Sequence, residues 1–241
     1  MVIRMDYLKY GKQEPQERIF GEQKSSGLEK ETLKIKCYEK PFPHLIVENF
    51  YDKKELELIW EELKFYTKPN KLLTAKDYKG VVGSTNAHAL ELDVIYSKQL
   101  PNDKVNYRNI SNILTVNRKL FTSEILKKYS EIHDCCTVSL KCTHDFTKVR
   151  YYHDGEYYKP HVDVMFNTLA FSYFYKEPKS FSGGELYFPK YNYEYPCNNN
   201  TMIIFPSWVE HGVREVKIKN SDYFDGFGRY AITSFLATRE Q

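Results

Sequence analysis

Hydrophobic positions along this chain change their period once, near residue 137. Before that point the clearest stretch is YDKKELELIWEELKFY (51–66), where Leu56, Ile59, Trp60 and Leu63 recur at helical spacing and make one face apolar. Asp52 is placed to cap this helix, and Glu55, three residues on, completes a capping-box pattern. FTSEILKKYSEI (121–132) predicts a second helix that starts near Thr122 or Ser123. The apolar run in PFPHLIVENF (41–50) predicts a strand. Residues 70–100 show no period that assigns them. Beyond residue 137 come TVSLKC, KVRYYHDG, TLAFSYFYK, GELYFPKYNYEY, TMIIFPS, GVREVKI and RYAITSFLA, each rich in β-formers. Gly183–Gly184, Pro189, the PCNNN stretch at 196–200 and Asp225–Gly226 separate them. Helices followed by a run of strands predict a mainly β fold, an antiparallel sandwich with N-terminal helices as buttress. The expected organisation is an arm or cover over 1–40, solvated because it is rich in Lys, Glu and Gln, then one domain over 41–241. Within that domain, about 41–136 is helical support and about 137–241 is the β core.

Composition narrows the class. Of 241 residues, 41% are hydrophobic and 16% aromatic, with 21 tyrosines, which is enough for a large core and argues against disorder. The formal charge of +3 is too small to imply a nucleic-acid partner, and the lysines are scattered rather than clustered. The first residues have no apolar signal-like segment, and no run reaches the roughly 20 apolar residues of a membrane span, so a soluble cytoplasmic protein is expected. Five cysteines without a framework spacing read as reduced thiols.

Candidate chemistry starts in YHDGEYYKPHVD (152–163). His161 and Asp163 are two apart, so in an extended segment both project from one face. They could hold a metal ion together, or form a hydrogen-bonded pair on a solvated strand. His211, just after the apolar TMIIFPS, would add a second imidazole. Two nitrogens and one carboxylate on one face leave coordination positions open, which suits non-haem Fe(II). Taken singly, each residue also has a plain reading: His211 as a surface or core histidine, Asp163 as a turn carboxylate.

Four pieces in order carry a resemblance: Y-x-x-G-x-x-Y-x-x-H-x-D from Tyr152 to Asp163, GGELYFP from Gly183, IFPS from Ile204, and HGVREV from His211. Over about 149–237 the chain resembles the prolyl-4-hydroxylase-like branch of the Fe(II)/2-oxoglutarate-dependent dioxygenases. PFPHLIVENFYDKKEL is similar to the segment that leads into this domain. The resemblance implies a double-stranded β-helix, or jelly-roll, with the site in the barrel mouth. It implies His161, Asp163 and His211 as iron ligands, and Fe(II), 2-oxoglutarate and O2 as the reacting set, with ascorbate a further cofactor. The far carboxylate of 2-oxoglutarate then needs a cation. Arg229, heading the last strand, suits this because a guanidinium clamps a carboxylate bidentately.

The chain departs from the family pattern in two places. VKIKNSDYFDGF lengthens the gap between His211 and Arg229, leaving Arg214 as the competing candidate. Ala231 stands where some relatives carry serine, so a tyrosine has to supply any neutral hydroxyl to the cosubstrate. Tyr152 and Tyr173 occupy positions resembling the family's cosubstrate tyrosines, with core packing as the plain alternative. Tyr158 and Trp208 are candidate substrate-pocket residues. Gly183–Gly184 reads as a turn device that supports the site by geometry.

The implied activity is hydroxylation of a C–H bond, with succinate and CO2 as co-products. Asp163 favours hydroxylation over halogenation, since related halogenases replace this carboxylate with a small residue. The expected substrate is a prolyl residue in a peptide or protein. The rivals are the same chemistry on a nucleobase or small metabolite, and a jelly-roll module that keeps the metal without turnover.

Overall fold

A computed structural model describes residues 18–19, 32–66, 88–91, 111–122, 124–219 and 226–238. Most of the 1–40 arm, most of 70–100, and residues 220–225 of the segment between His211 and Arg229 lie outside these.

The helix over Lys53–Tyr66 (α1) begins as the sequence predicts. Asp52 Oδ1 accepts from the Glu55 backbone N–H at 2.9 Å, and Glu55 Oε2 accepts from the Asp52 N–H at 2.8 Å, so the capping box closes in both directions. Its apolar stripe is the reason it docks. Ile59 and Leu63 are buried, and the Trp60 ring lies 5.4 Å from Phe174 and 5.1 Å from Tyr230, both edge-on. The stretch expected as one helix over 121–132 is broken instead. Asn112–Asn117 (α2), Lys119–Thr122 (α3) and Ile125–Ser130 (α4) are separate short helices. Ser111 caps α2 by accepting from Leu114 N–H at 3.1 Å; the expected caps of the 121–132 stretch, the Thr122 side chain and Ser123, lie outside the described residues.

Eight strands form the major sheet. In chain order they are Arg18–Ile19 (β1), Lys34–Tyr38 (β2), His44–Glu48 (β3), His88–Glu91 (β4), His144–Tyr152 (β5), Thr168–Phe174 (β7), Thr201–Pro206 (β11) and Arg229–Ala237 (β14). Their spatial order is β1-β2-β3-β11-β7-β14-β5-β4, antiparallel throughout. Tyr158–His161 (β6), Leu186–Phe188 (β9), Tyr193–Tyr195 (β10) and His211–Val213 (β12) make a smaller sheet, β10-β9-β12-β6. Phe181–Gly183 (β8) and Val216–Ile218 (β13) pair beside it.

Two expectations are corrected here. Lys34–Tyr38, placed in the arm, is a strand that pairs along its length with β3; Ile35 and Cys37 pack against the core, so its short alternation is functional packing rather than solvated cover. TVSLKC, expected as a strand, is the end of a 3-10 helix over Asp134–Lys141. His133 caps that helix by accepting from Cys135 N–H, and a capped turn outcompetes β propensity where no partner strand is offered.

The central strands are buried on both faces, and their alternation sorts side chains between two cores. Along β14, Tyr230, Ile232 and Leu236 pack with the helices, together with Phe174, Met202 and Leu45. Ala231 and Phe235 face the smaller sheet, with Phe171, Phe205 and Phe188. Arg229 and Thr233 share the parity of the second set. All five cysteines are free thiols. Among the described residues no helix is long and apolar enough to cross a membrane.

Candidate metal centre and anion site

Three devices deliver the two halves of the HxD pair and the distant histidine to one point. The first is the turn after β5. Gly155 adopts φ +74°, its N–H donates to Val216 O at 2.8 Å, and Asp154 Oδ1 accepts from Ile218 N–H at 2.7 Å. The turn is thereby pinned and β6 returns across the mouth. The second is register: His161 is the direct partner of His211 in the β6–β12 pair. Directly opposed residues on antiparallel strands point to the same side. The third is a clasp in which Asp163 N–H donates to Ser207 O at 3.1 Å, Ser207 N–H donates to Asn167 O at 3.3 Å, and the Ser207 hydroxyl donates to Phe166 O. The expected Pro-Ser turn before His211 therefore also holds the loop that carries Asp163.

In the resulting cluster Asp163 Oδ1 is 3.9 Å from His161 Nε2, and Asp163 Oδ2 is 3.5 Å from His211 Nε2. One ligand atom from each of the three lies within 4.8 Å of the others, the sole such His/Cys/Asp/Glu group among the described residues. Both imidazoles are oriented by main-chain carbonyls: His161 Nδ1 sits 2.9 Å from Lys159 O, and His211 Nδ1 sits 3.0 Å from Val209 O. A carbonyl accepts only, so each Nδ1 carries the proton and each Nε2 turns a lone pair inward. Burial lowers both imidazoles, and His211 is pushed down to about 3, by its desolvation first and by His161 second. Burial also raises the Asp163 carboxyl, against the pull of His161, Arg150 and Lys148. Asp163 Oδ2 is buried with no hydrogen-bond partner. Two imidazole Nε2 atoms, one near each oxygen of the Asp163 carboxylate, with Oδ2 buried and unpartnered, make a donor set that a divalent cation completes.

These residues sit at one part of a pocket between the two sheets that is open to solvent at its mouth. Arg229 lines another part. Its side chain is 2% exposed, and its guanidinium lies between two aromatic faces, 4.7 Å from the Tyr152 ring and 4.6 Å from the Tyr173 ring. Nη2 donates to the Cys197 sulfur at 3.7 Å, while Nε and Nη1 have no partner, and neither does the Tyr173 hydroxyl. No carboxylate among the described residues pairs with it. A buried, uncompensated guanidinium is costly, and an anion entering the pocket would remove that cost.

The competing Arg214 is elsewhere. It is half-exposed, bonded to Glu194 by Nε at 2.8 Å, and stacked over Tyr187 at 3.9 Å. Tyr158 lines the pocket and stacks on His161 with centroids 4.1 Å apart. Trp208, the other expected pocket residue, is 51% exposed on the turn and outside the lining. Gly184 does more than turn the chain. At φ +77° an added Cβ would stand 2.7 Å from Arg229 Cδ, so its missing side chain is the space the arginine stem occupies. The sequence reading missed Arg150, which lines the pocket two residues before Tyr152. The signal was available: on a strand, positions 150 and 152 share a face.

Residues 147–237 match the model of the 2OG-Fe(II) oxygenase superfamily. No curated protein matches the chain. Among solved structures it resembles a Pseudomonas putida prolyl-4-hydroxylase, at 13% identity and TM-score 0.50 over 82% of this chain and 93% of that one. It also resembles a 2OG-Fe(II) oxygenase-family oxidoreductase from Burkholderia pseudomallei, at 14% identity and TM-score 0.51 over 82% and 86% of the two chains. A third is a Trichoplax adhaerens prolyl hydroxylase in complex with a hypoxia inducible factor peptide fragment, at 14% identity and TM-score 0.51 over 81% and 83%. The shared fold is the jelly-roll.

Proposed function

We propose, from the match of residues 147–237 to the 2OG-Fe(II) oxygenase superfamily model, that the chain is an oxygenase of this kind and hydroxylates a C–H bond of a peptidyl substrate, with a prolyl residue as the target. His161, Asp163 and His211 would hold Fe(II) through two inward Nε2 atoms and the Asp163 carboxylate. Arg229 and the Tyr173 hydroxyl would take the far carboxylate of 2-oxoglutarate, with Tyr152 and Tyr173 keeping the guanidinium flat between them. The observation that carries this reading is the buried Arg229, with two unpartnered N–H groups in the same pocket as the three convergent ligands.

Fe(II) held by His161, Asp163 and His211 would supply the oxidising chemistry, in which 2-oxoglutarate and O2 would become succinate and CO2 with one oxygen atom entering the C–H bond. The protein's part is positional. Main-chain acceptors at Lys159 and Val209 hold the histidines in one tautomer. Phe171, Phe205 and Phe188 surround His211 and exclude water behind it. The prolyl target is supported by the motif resemblance and by the aromatic lining, on which a proline ring packs well. Ascorbate would serve as an auxiliary reductant, and the protein would work in the cytoplasm.

Two measurements test this. Succinate release is followed with Fe(II) and 2-oxoglutarate against proline-containing peptides, nucleic acids and free amino acids, and products are checked for the mass gain of one oxygen. Hydroxyproline in a peptide is the expected product; oxidation confined to a nucleobase or metabolite overturns the substrate class. Gly184→Ala is the second. Left-handed backbone costs a non-glycine residue about 1–2 kcal/mol, and the new methyl displaces the Arg229 stem. The apparent affinity for 2-oxoglutarate should fall while iron binding stays as in the wild type. Unchanged 2-oxoglutarate affinity would detach Gly184 from the anion site.

A further inference from the structure

Arg150 has no part in the metal or cosubstrate roles above, yet it lines the pocket. Its strand partner in β14 is Ala231, next along the pocket face from Arg229, which pairs with Tyr152. Its guanidinium lies 5.0 Å from the centre of the Tyr158 ring, and that ring stacks on His161. The charge therefore stands one aromatic layer from a metal ligand, and it acts electrostatically on His161, Asp163 and His211. With iron and 2-oxoglutarate bound, the charges of Asp163, the metal, both carboxylates and Arg229 cancel. Arg150 then sets the sign of the pocket, with Lys148 adding to it and Glu210 opposing it near His161.

The second feature is an exposed apolar patch. The loop that carries Asp163 exposes Val164 (78%) and Met165 (86%), and Trp208 follows the Ser207 clasp that holds the same loop. From these two features, and resting on the oxygenase reading, we infer that Arg150 selects the substrate by receiving a carboxylate of an acidic peptide. The peptide's apolar residues would lie on Val164, Met165 and Trp208. A nucleic acid fits less well. A phosphodiester chain is held by many cations along its path, whereas the pocket lining has two arginines, of which Arg229 is assigned to the cosubstrate.

Anisotropy of labelled peptides tests this. Three matched peptides carry Glu, Gln or Lys beside one proline, and a labelled single-stranded oligonucleotide is the fourth probe. Wild-type protein should bind the Glu peptide at least about tenfold more tightly than the Lys peptide, the worth of one charge-assisted hydrogen bond. Arg150→Gln should level the series and Arg150→Glu should invert it, with thermal unfolding midpoints reporting the fold of each variant. A preference that survives Arg150→Glu overturns the inference, as does tighter binding of the oligonucleotide than of any peptide. Succinate release by a wild-type protein that binds none of the peptides also overturns it, while leaving the oxygenase reading in place. Arg150-dependent binding of the Glu peptide without succinate release does the reverse.

Discussion

His161→Ala will release no succinate from 2-oxoglutarate above background and will not retain Fe(II), yet it will unfold at close to the wild-type temperature. His161 is only part-buried at the mouth, so truncating it opens little cavity. Loss of an outer-shell partner costs a metal site about 10–100-fold in affinity or activity, and loss of one of three direct ligands must exceed that. His211 is the harder position. Its ring lies 5.1 Å from Phe205 and 5.5 Å from Phe171, deep in the second core. His211→Ala therefore removes a ligand and opens a cavity together, whereas His211→Gln keeps most of the volume and isolates the chemistry. Iron binding by equilibrium dialysis, succinate release and thermal unfolding together separate these effects. Wild-type-like turnover in His161→Ala and His211→Gln would sink the triad.

Arg229→Gln will weaken 2-oxoglutarate binding at least about tenfold, since hydrogen bonds to a charged group contribute about 1.5–3 kcal/mol, and will leave iron binding intact. The unliganded variant should unfold at a temperature no lower than the wild type, because it removes a charge that is buried with two unpartnered donors. Ligand then separates the two proteins. At a concentration 100 times its Kd, 2-oxoglutarate stabilises the wild type by about 2.7 kcal/mol. Tenfold weaker binding forfeits about half of that. Arg214→Ala is the control: its exposed pair with Glu194 is worth about 0–1 kcal/mol, and it should leave 2-oxoglutarate affinity unchanged. The opposite pattern, with loss in Arg214→Ala and none in Arg229→Gln, would exchange their roles.

What sequence alone could determine was whatever depends on neighbours along the chain. The Asp52–Glu55 cap is a contact over three residues, and the α1 stripe of Leu56, Ile59, Trp60 and Leu63 follows from the helical period, so both were legible. The same held for the strands within KVRYYHDG, TLAFSYFYK, TMIIFPS and RYAITSFLA, whereas Tyr158–His161 and Phe181–Gly183 were not assigned and Asp163 lies just past the end of its strand. The order of HxD, GGEL, FPS and His211 named the candidate ligands, but it said nothing of distance. Only the β6–β12 register, which sets His211 opposite His161, brought residues 50 apart into one cluster. Tertiary packing likewise sets the favoured Arg229 apart from the competing Arg214. Arg229 has the parity of Ala231 and faces inward, where Gly184 leaves room for its stem, while Arg214 finds Glu194 at the surface. Packing also made a strand of Lys34–Tyr38, whose alternation is too short to be read until β3 lies beside it, and denied one to TVSLKC, which has no such neighbour. Local periods belong to the chain, whereas partner, register and the choice of buried charge are set by what the folded sheets place opposite one another.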